Sequence, residues 1–208
     1  MKTLQKCLIT LSLSVPLVFG FSITHSEAST THTVQSGDTM WKIAVKYQVG
    51  VAEIISANPS VKNANLIYPG QQLTIPQKNA TRAAELKVVD LVNVERAKYN
   101  LPPLKENWEL SRVARFKSQD MIDKNYFNHN SPTYGSPFDM IKNFGIQYRA
   151  AGENIAAGQQ TPEDVVKAWM NSDGHRKNIL STQYKEIGVG YVKGGSYGHY
   201  WTQMFISR

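Results

Sequence analysis

Three runs of this sequence carry side chains suited to acid–base or metal chemistry: His129 in His129-Asn130-Ser131-Pro132, Glu153 in Gly152-Glu153-Asn154-Ile155-Ala156, and His175 in Ser172-Asp173-Gly174-His175-Arg176. Two imidazoles and a carboxylate, if they meet, are a competent set for a catalytic zinc or for water-mediated acid–base catalysis. The same residues also suit a structural role. His129 can bind a backbone carbonyl, Glu153 can cap a helix or fix a loop, and His175 as a cation can close the helix that carries Trp169. Other chemistries find little support. Ser131 and Ser172 lack a nucleophile-elbow setting, no P-loop or dinucleotide glycine pattern occurs, and no helix carries H-E-x-x-H. The single cysteine, Cys7, excludes an intramolecular disulfide framework and any multi-cysteine zinc or iron–sulfur site.

The chain that must position these groups has 208 residues, 41% of them hydrophobic and 19% charged, too apolar for a disordered chain and long enough for one or two small domains. Its start reads as an export signal. Lys2 and Lys6 give a positive beginning, an apolar run follows from Cys7 to Ile23, and Ser26-Glu27-Ala28 offers a small-x-small cleavage site, so residues 1–28 are expected to be removed. Pro16 and Gly20 interrupt the run, which is short for a span of about 20 apolar residues, and this argues against an uncleaved anchor. Loss of Lys2, Lys6 and Glu27 lowers the formal charge from +7 to +6. An anionic wall polymer would meet that charge, whereas its scatter without any nucleic-acid motif makes DNA or RNA an unexpected partner.

Composition divides the remainder at residues 77–84, Gln-Lys-Asn-Ala-Thr-Arg-Ala-Ala, read as a linker between residues 31–76 and 85–208, with its end free to merge into the next helix. In the first module a short strand at His32-Thr33-Val34-Gln35 leads through Ser36-Gly37-Asp38-Thr39, a turn and helix cap, into Met40, Ile43, Ala44 and Tyr47 at helical spacing. A second helix fits Val51 to Ala57, and Leu73-Thr74-Ile75 returns as a strand. From Thr33 to Ala44, at Asn58-Pro59, and from Leu66 to Pro76, these residues resemble a LysM domain along its whole length. The resemblance implies a βααβ fold that binds N-acetylglucosamine glycans, here peptidoglycan, in a shallow groove. Carried over by position, Gly37, Asp38 and Thr39 line one side, and Asn58, Pro59, Ile67 and Tyr68 the other. Each also has a scaffold role open to it, as turn, cap or packing residue.

In the second module Leu86, Val89 and Val92 mark one helix and Leu110, Val113, Ala114 and Met121 another over Glu109 to Lys124. Thr161-Pro162-Glu163-Asp164 is a strong helix start. After Leu180 the period changes to two, through Ile187 to Val192, the Gly194-Gly195 turn and Tyr200 to Ile206, which predicts a terminal hairpin. Helices followed by strands predict an α+β sandwich. The His129, Gly152-Glu153-Asn154, Trp169 to Leu180 and Trp201-Thr202-Gln203 motifs, with Leu91-Val92-Asn93 and Arg96 before them, resemble the CAP superfamily (the SCP or cysteine-rich secretory protein family) in its bacterial form.

That resemblance implies an α-β-α sandwich with an open cleft, in which two histidines and two acids gather and a divalent metal such as zinc is sometimes held. By position His129 is the first histidine and Glu153 the first acid. Ser172 stands where the second acid is usual, and Tyr200 stands at the second histidine, with His199 one residue away and therefore on the other strand face unless a bulge intervenes. His175 is the substitute donor, which makes His129 and His175 the candidate metal ligands and His129, Glu153 and His175 the candidate catalytic set. The leading expectation is an exported wall protein whose LysM module binds peptidoglycan and displays the CAP cleft. The alternatives are a metal-assisted hydrolase of wall peptide, glycan or nucleic acid, and a lipid- or protein-binding scaffold of an envelope or spore layer.

Overall fold

A computed structural model describes residues 29–76 and 79–208, so the segment read as an export signal, Cys7 included, lies outside the described residues. Mixed helices and strands give the expected α+β class in two modules, each with its own apolar core.

The first module pairs β1 (Ser29–Thr33) antiparallel with β2 (Gln72–Pro76), Thr31 lying opposite Thr74. Between them come α1 (Met40–Tyr47) and α2 (Val51–Ala57). Thr39 caps α1 by accepting a hydrogen bond from the Lys42 N–H, and Gln48 ends it in the left-handed conformation at φ 53°. Met40, Ile43, Ala44 and Ile54 from the helices meet Leu73 and Ile75 from the inward face of β2, which fixes the strand register because a one-residue slip would turn both side chains to water.

In the second module α3 spans Asn79–Ala97, starting inside the stretch read as a linker. Then follow β3 (Lys105–Glu106), α4 (Trp108–Asp123), α5 (Pro137–Asn143), β4 (Ala150–Ala157), α6 (Pro162–Met170), α7 (Asp173–Ile179), β5 (Glu186–Lys193) and β6 (His199–Ser207). The sheet order is β3-β5-β6-β4, with β3 parallel to β5 and the other pairs antiparallel. Val88 and Val92 of α3 and Val165 and Trp169 of α6 pack on one sheet face with Val189, Trp201 and Phe205. On the other face Leu110, Val113 and Ala114 of α4 and Met140 of α5 cover Met204 and Ile206. The result is a helix-sheet-helix sandwich.

The period-two run of β5 explains how α4 comes so close. Ile187 and Val189 point to the first layer, while Gly188 and Gly190 present no side chain to α4. A Cβ at Gly188 would lie 2.4 Å from the Leu110 carbonyl carbon and one at Gly190 would lie 2.1 Å from the Arg115 nitrogen, so neither position tolerates alanine without pushing the helix away.

Candidate functional site

His129 sits on the loop that leaves α4, and Glu153 on β4, the sheet edge beside that loop. The Nδ1 of His129 and Oε1 of Glu153 are 2.7 Å apart. The carboxylate is almost wholly buried, 1% of its side chain exposed, whereas the imidazole is 52% exposed. An ionised carboxylate only accepts, so Nδ1 carries the shared proton and Nε2 is left as the outward base of a neutral ring or the outward acid of a charged one. The second carboxylate oxygen, Oε2, is buried without a hydrogen-bond partner among the described residues.

The loop carrying His129 is fixed by two charged side chains of α4 that sequence reasoning passed over. Lys117, fully buried, donates through Nζ to the carbonyls of Asn128 at 2.7 Å and His129 at 2.6 Å, and to the Tyr126 hydroxyl at 3.2 Å. Asp120 accepts from the hydroxyls of Ser131 and Tyr126, both at 2.6 Å, and from Thr133. Ser131 in turn pairs with Gly135 through two backbone hydrogen bonds, closing the loop. The signal was present in the sequence: Lys117 falls on the same helical stripe as Val113, Ala114 and Met121, where a charge has no place unless it is bonded.

Burial pushes the Asp120 carboxyl up, but its hydrogen bonds from Ser131, Thr133 and Tyr126 and the charge of Lys117 together outweigh this and hold it below the usual range. The Tyr126 phenol is pushed up, first by burial and then by Asp120, so it stays a donor. A carboxyl depressed in the folded state adds stability above its unfolded pKa of about 3.9, and that stability drains as pH falls through the lower folded value. Amide protons of Ser131 and Gly135 should therefore lose protection below about pH 4 while those of β5 and β6 hold, and Asp120→Asn should remove this pH dependence. Equal acid sensitivity in the variant would assign the effect to another carboxylate.

His175 lies on α7, which is tied to β4 by Asn154. The Asn154 Nδ2 donates to the His175 carbonyl at 3.1 Å and to Gln203 Oε1 at 2.9 Å, and Asn178 Nδ2 donates to Glu153 O and Asn154 Oδ1. The His175 ring is half-buried and makes no side-chain hydrogen bond; burial, and secondarily the charge of His129, push its pKa down. Ser172 caps α7 by position, without a side-chain cap bond, and supplies no acid. Among the described residues no three His, Cys, Asp or Glu side chains gather closely enough to hold a metal ion. The metal role expected of His129 and His175 thus rests on the family resemblance, and the contact the structure gives is the His129–Glu153 pair.

The last strand runs without a bulge. Lys193 and Val192 of β5 face His199 and Tyr200 in sequence, and Tyr200 also faces Ala157. Tyr200 is buried with Met121 and Ile155 on the sheet face that Glu153 shares. His199 points to the other face, where its Nδ1 lies 2.7 Å from the Tyr191 hydroxyl and its ring stacks on Tyr191.

In the first module several of the residues read as groove-lining serve the scaffold. Asp38 accepts from the Gln35 N–H at 2.8 Å and lies 2.9 Å from Nε2 of buried His32, and these bonds hold its carboxyl below the usual range. Thr39 caps α1, and buried Asn58 bridges Ile54 O, Thr74 O and Thr74 N at 2.7 to 2.8 Å. Ile67 is half-buried against the core, Pro59 is exposed, and Tyr68 is 64% exposed. Gly37 and Gly70 hold φ of +84° and +86° with open space where a side chain would stand. The exposed surface there is made by Tyr68, Pro59 and the open backbone of the two glycine turns.

Residues 32–76 match the LysM domain model, and residues 89–205, more than half of the chain, match that of the cysteine-rich secretory protein family. An uncharacterized protein, YkwD of Bacillus subtilis (strain 168), is 62% identical over 135 residues, 65% of this chain and 51% of the relative. N-acetylmuramoyl-L-alanine amidase sle1 of Staphylococcus epidermidis is 38% identical over 72 residues, 35% of this chain and 22% of that enzyme. A solved extracellular protein containing a SCP domain from Bacillus anthracis str. Ames aligns with a TM-score of 0.57 and 35% identity, covering 67% of this chain and 47% of that one. The chain thus spans about half the length of the first curated relative it matches. With the sandwich, its sheet order and the family match in agreement, the chain belongs to the cysteine-rich secretory protein (CAP) family and carries a LysM domain ahead of its CAP domain.

Proposed function

We propose that this chain is an exported, wall-associated protein with residues 1–28 as its signal, in which the LysM domain binds the N-acetylglucosamine glycan of peptidoglycan and holds the CAP domain, with its His129–Glu153 pair, against the wall. The observation that carries this reading is the LysM domain itself, folded on its own core with Tyr68 and the Gly37 and Gly70 turns open to a ligand. The similarity to a wall amidase and to a probable autolysin, SsaALP of Staphylococcus aureus, supports it. No helix among the described residues is long and apolar enough to cross a membrane. Tethering raises the effective concentration of the CAP site at the wall, so a weak CAP ligand there would still be engaged.

The chain from Ser29 to Arg208 should sediment with purified peptidoglycan, and removal of residues 29–76 should weaken this by about tenfold or more, a loss of about 1.4 kcal/mol. Equal sedimentation of both, abolished by salt in both, would assign binding to the net positive charge and overturn the reading.

A second reading rests on the pair itself. A buried carboxylate that orients an exposed imidazole is the arrangement of a general base, with His129 Nε2 drawing a proton from water and returning it to a leaving group.

A further inference from the structure

Phe127 and Tyr197 belong to none of the apolar cores and stand 44% and 57% exposed with ring centroids 6.1 Å apart. Their planes are tilted by 56°, so neither covers the other and each keeps a free face. The two rings come from segments far apart in sequence, yet both are held. Phe127 is on the loop that Lys117 and Asp120 fix. Tyr197 is at the tip of the β5–β6 hairpin, closed by the Gly194 N–H donating to Gly198 O at 2.8 Å, and its ring stands edge-on against buried Tyr200 at 5.7 Å. Gly195, at φ +63°, sets the tip so close that a Cβ there would lie 2.9 Å from the Tyr200 ring. The Ser196 hydroxyl donates to Asn125 Oδ1 at 3.0 Å and ties the hairpin tip to the turn after α4.

The surroundings select the ligand. Asn125, Asn128, Asn130 and Ser196 are exposed around the rings, and residues 124–130 and 194–198 contain no acid. Asn125 and Asn128 use their side-chain oxygens within the protein, Asn128 Oδ1 accepting from the Asn130 N–H at 2.9 Å, so their amide N–H groups remain for acceptors on a ligand. Aromatic faces beside exposed amide donors match a pyranose ring with its flat C–H face and its hydroxyl and acetamido oxygens; a membrane surface asks for a larger unbroken apolar patch and a cluster of cations, where this surface has only Lys124 and Lys193 at its edges. We propose that Phe127 and Tyr197 form a stacking platform on the CAP domain for an amino-sugar glycan strand, which would pass His129, two residues from Phe127. The choice of a wall glycan rests on the reading of the LysM domain as a wall anchor.

The test is a backbone NMR titration of the nitrogen-15-labelled chain from Ser29 to Arg208 with the hexamer of N-acetylglucosamine, because each domain then reports separately. Amides of residues 125–130 and 195–198 should shift together with those around Gly37 and Tyr68. Phe127→Ala combined with Tyr197→Ala should weaken the first set by about tenfold or more and leave the second unchanged, with β4 and β6 amides in place as proof of fold. Movement of the LysM amides alone would overturn the platform and leave the anchor standing; movement of the 125–130 and 195–198 amides alone would do the reverse. Response of the platform amides to anionic lipid vesicles and not to the hexamer would replace the glycan with a membrane surface.

Discussion

Arg96→Met should destabilise the CAP domain by about 3–5 kcal/mol, one of the largest losses open to a single substitution in it. Arg96 is fully buried. Its Nε donates to Pro102 O at 3.0 Å, and Nη1 donates to Ile179 O at 2.7 Å and Ser181 O at 2.8 Å. Those carbonyls end α7 and bound the turns after α3 and α7, so one guanidinium joins three segments and lies at the negative end of a helix. Burial lowers its pKa but the group stays charged, since an arginine loses its proton only far above physiological pH. Methionine fills similar space and donates nothing, leaving three carbonyls without partners. Arg96→Lys keeps the charge and loses the fork, so it should cost less, about 1–3 kcal/mol. Urea unfolding monitored at the CAP tryptophans checks both, and a loss below about 1 kcal/mol for methionine would show that water reaches the three carbonyls.

The same residue shows how far the sequence reached. Arg96 was visible as one member of a motif, yet a lone arginine near the end of a helix does not reveal that its partners lie 83 and 85 residues away. Local signals were read well where local physics decides. The Thr161-Pro162 start opens α6, the Val113, Ala114 and Met121 stripe faces the sheet, and the glycine alternation of β5 faces α4. β4 was not legible as a strand, because Ala150-Ala151-Gly152-Glu153-Asn154-Ile155-Ala156-Ala157 has neither β-branched content nor alternation. It is a strand because β6 supplies its hydrogen bonds and both of its faces are covered, Ile155 by Met121 and Tyr200, and Ala156 by the opposite core. Small side chains there leave room for the long ones of α4 and α6.

Legibility at the site followed the same division. The identities of His129 and Glu153 were carried by motif resemblance, and the structure sets them 2.7 Å apart. Their support was legible only at Lys117, a charge on the apolar stripe of α4, whereas its partners and the roles of Asp120, Tyr126 and Asn154 are set by contacts with loop backbone and neighbouring elements. In the LysM domain Asp38, Thr39 and Asn58 were read as groove residues with a scaffold role also open to each, and their side chains make a turn, a helix cap and a strand-to-helix bridge in that order, partners that spacing alone does not reveal.

Lys117→Met should release the loop that aims His129 and cost about 2–4 kcal/mol of stability, because the substitution keeps the apolar stem and removes only the ammonium. Burial depresses the Lys117 pKa, and the charges of Glu153 and Asp120 act against that, so the ammonium is held between two carboxylates and two carbonyls. Without it the carbonyls of Asn128 and His129 lose their donor, and Asp120 loses its cationic neighbour while keeping its three hydroxyl donors. Hydrogen exchange should therefore localise the damage: the Ser131 and Gly135 amides lose protection, while the amides that pair β5 with β6 keep theirs. Combining Lys117→Met with Asp120→Asn should cost less than the sum of the two by about 1 kcal/mol or more, since the second change removes a charge the first has left unpaired. Additive costs with uniform loss of protection would reduce Lys117 to a packing residue and separate the aim of His129 from the buried ammonium beneath it.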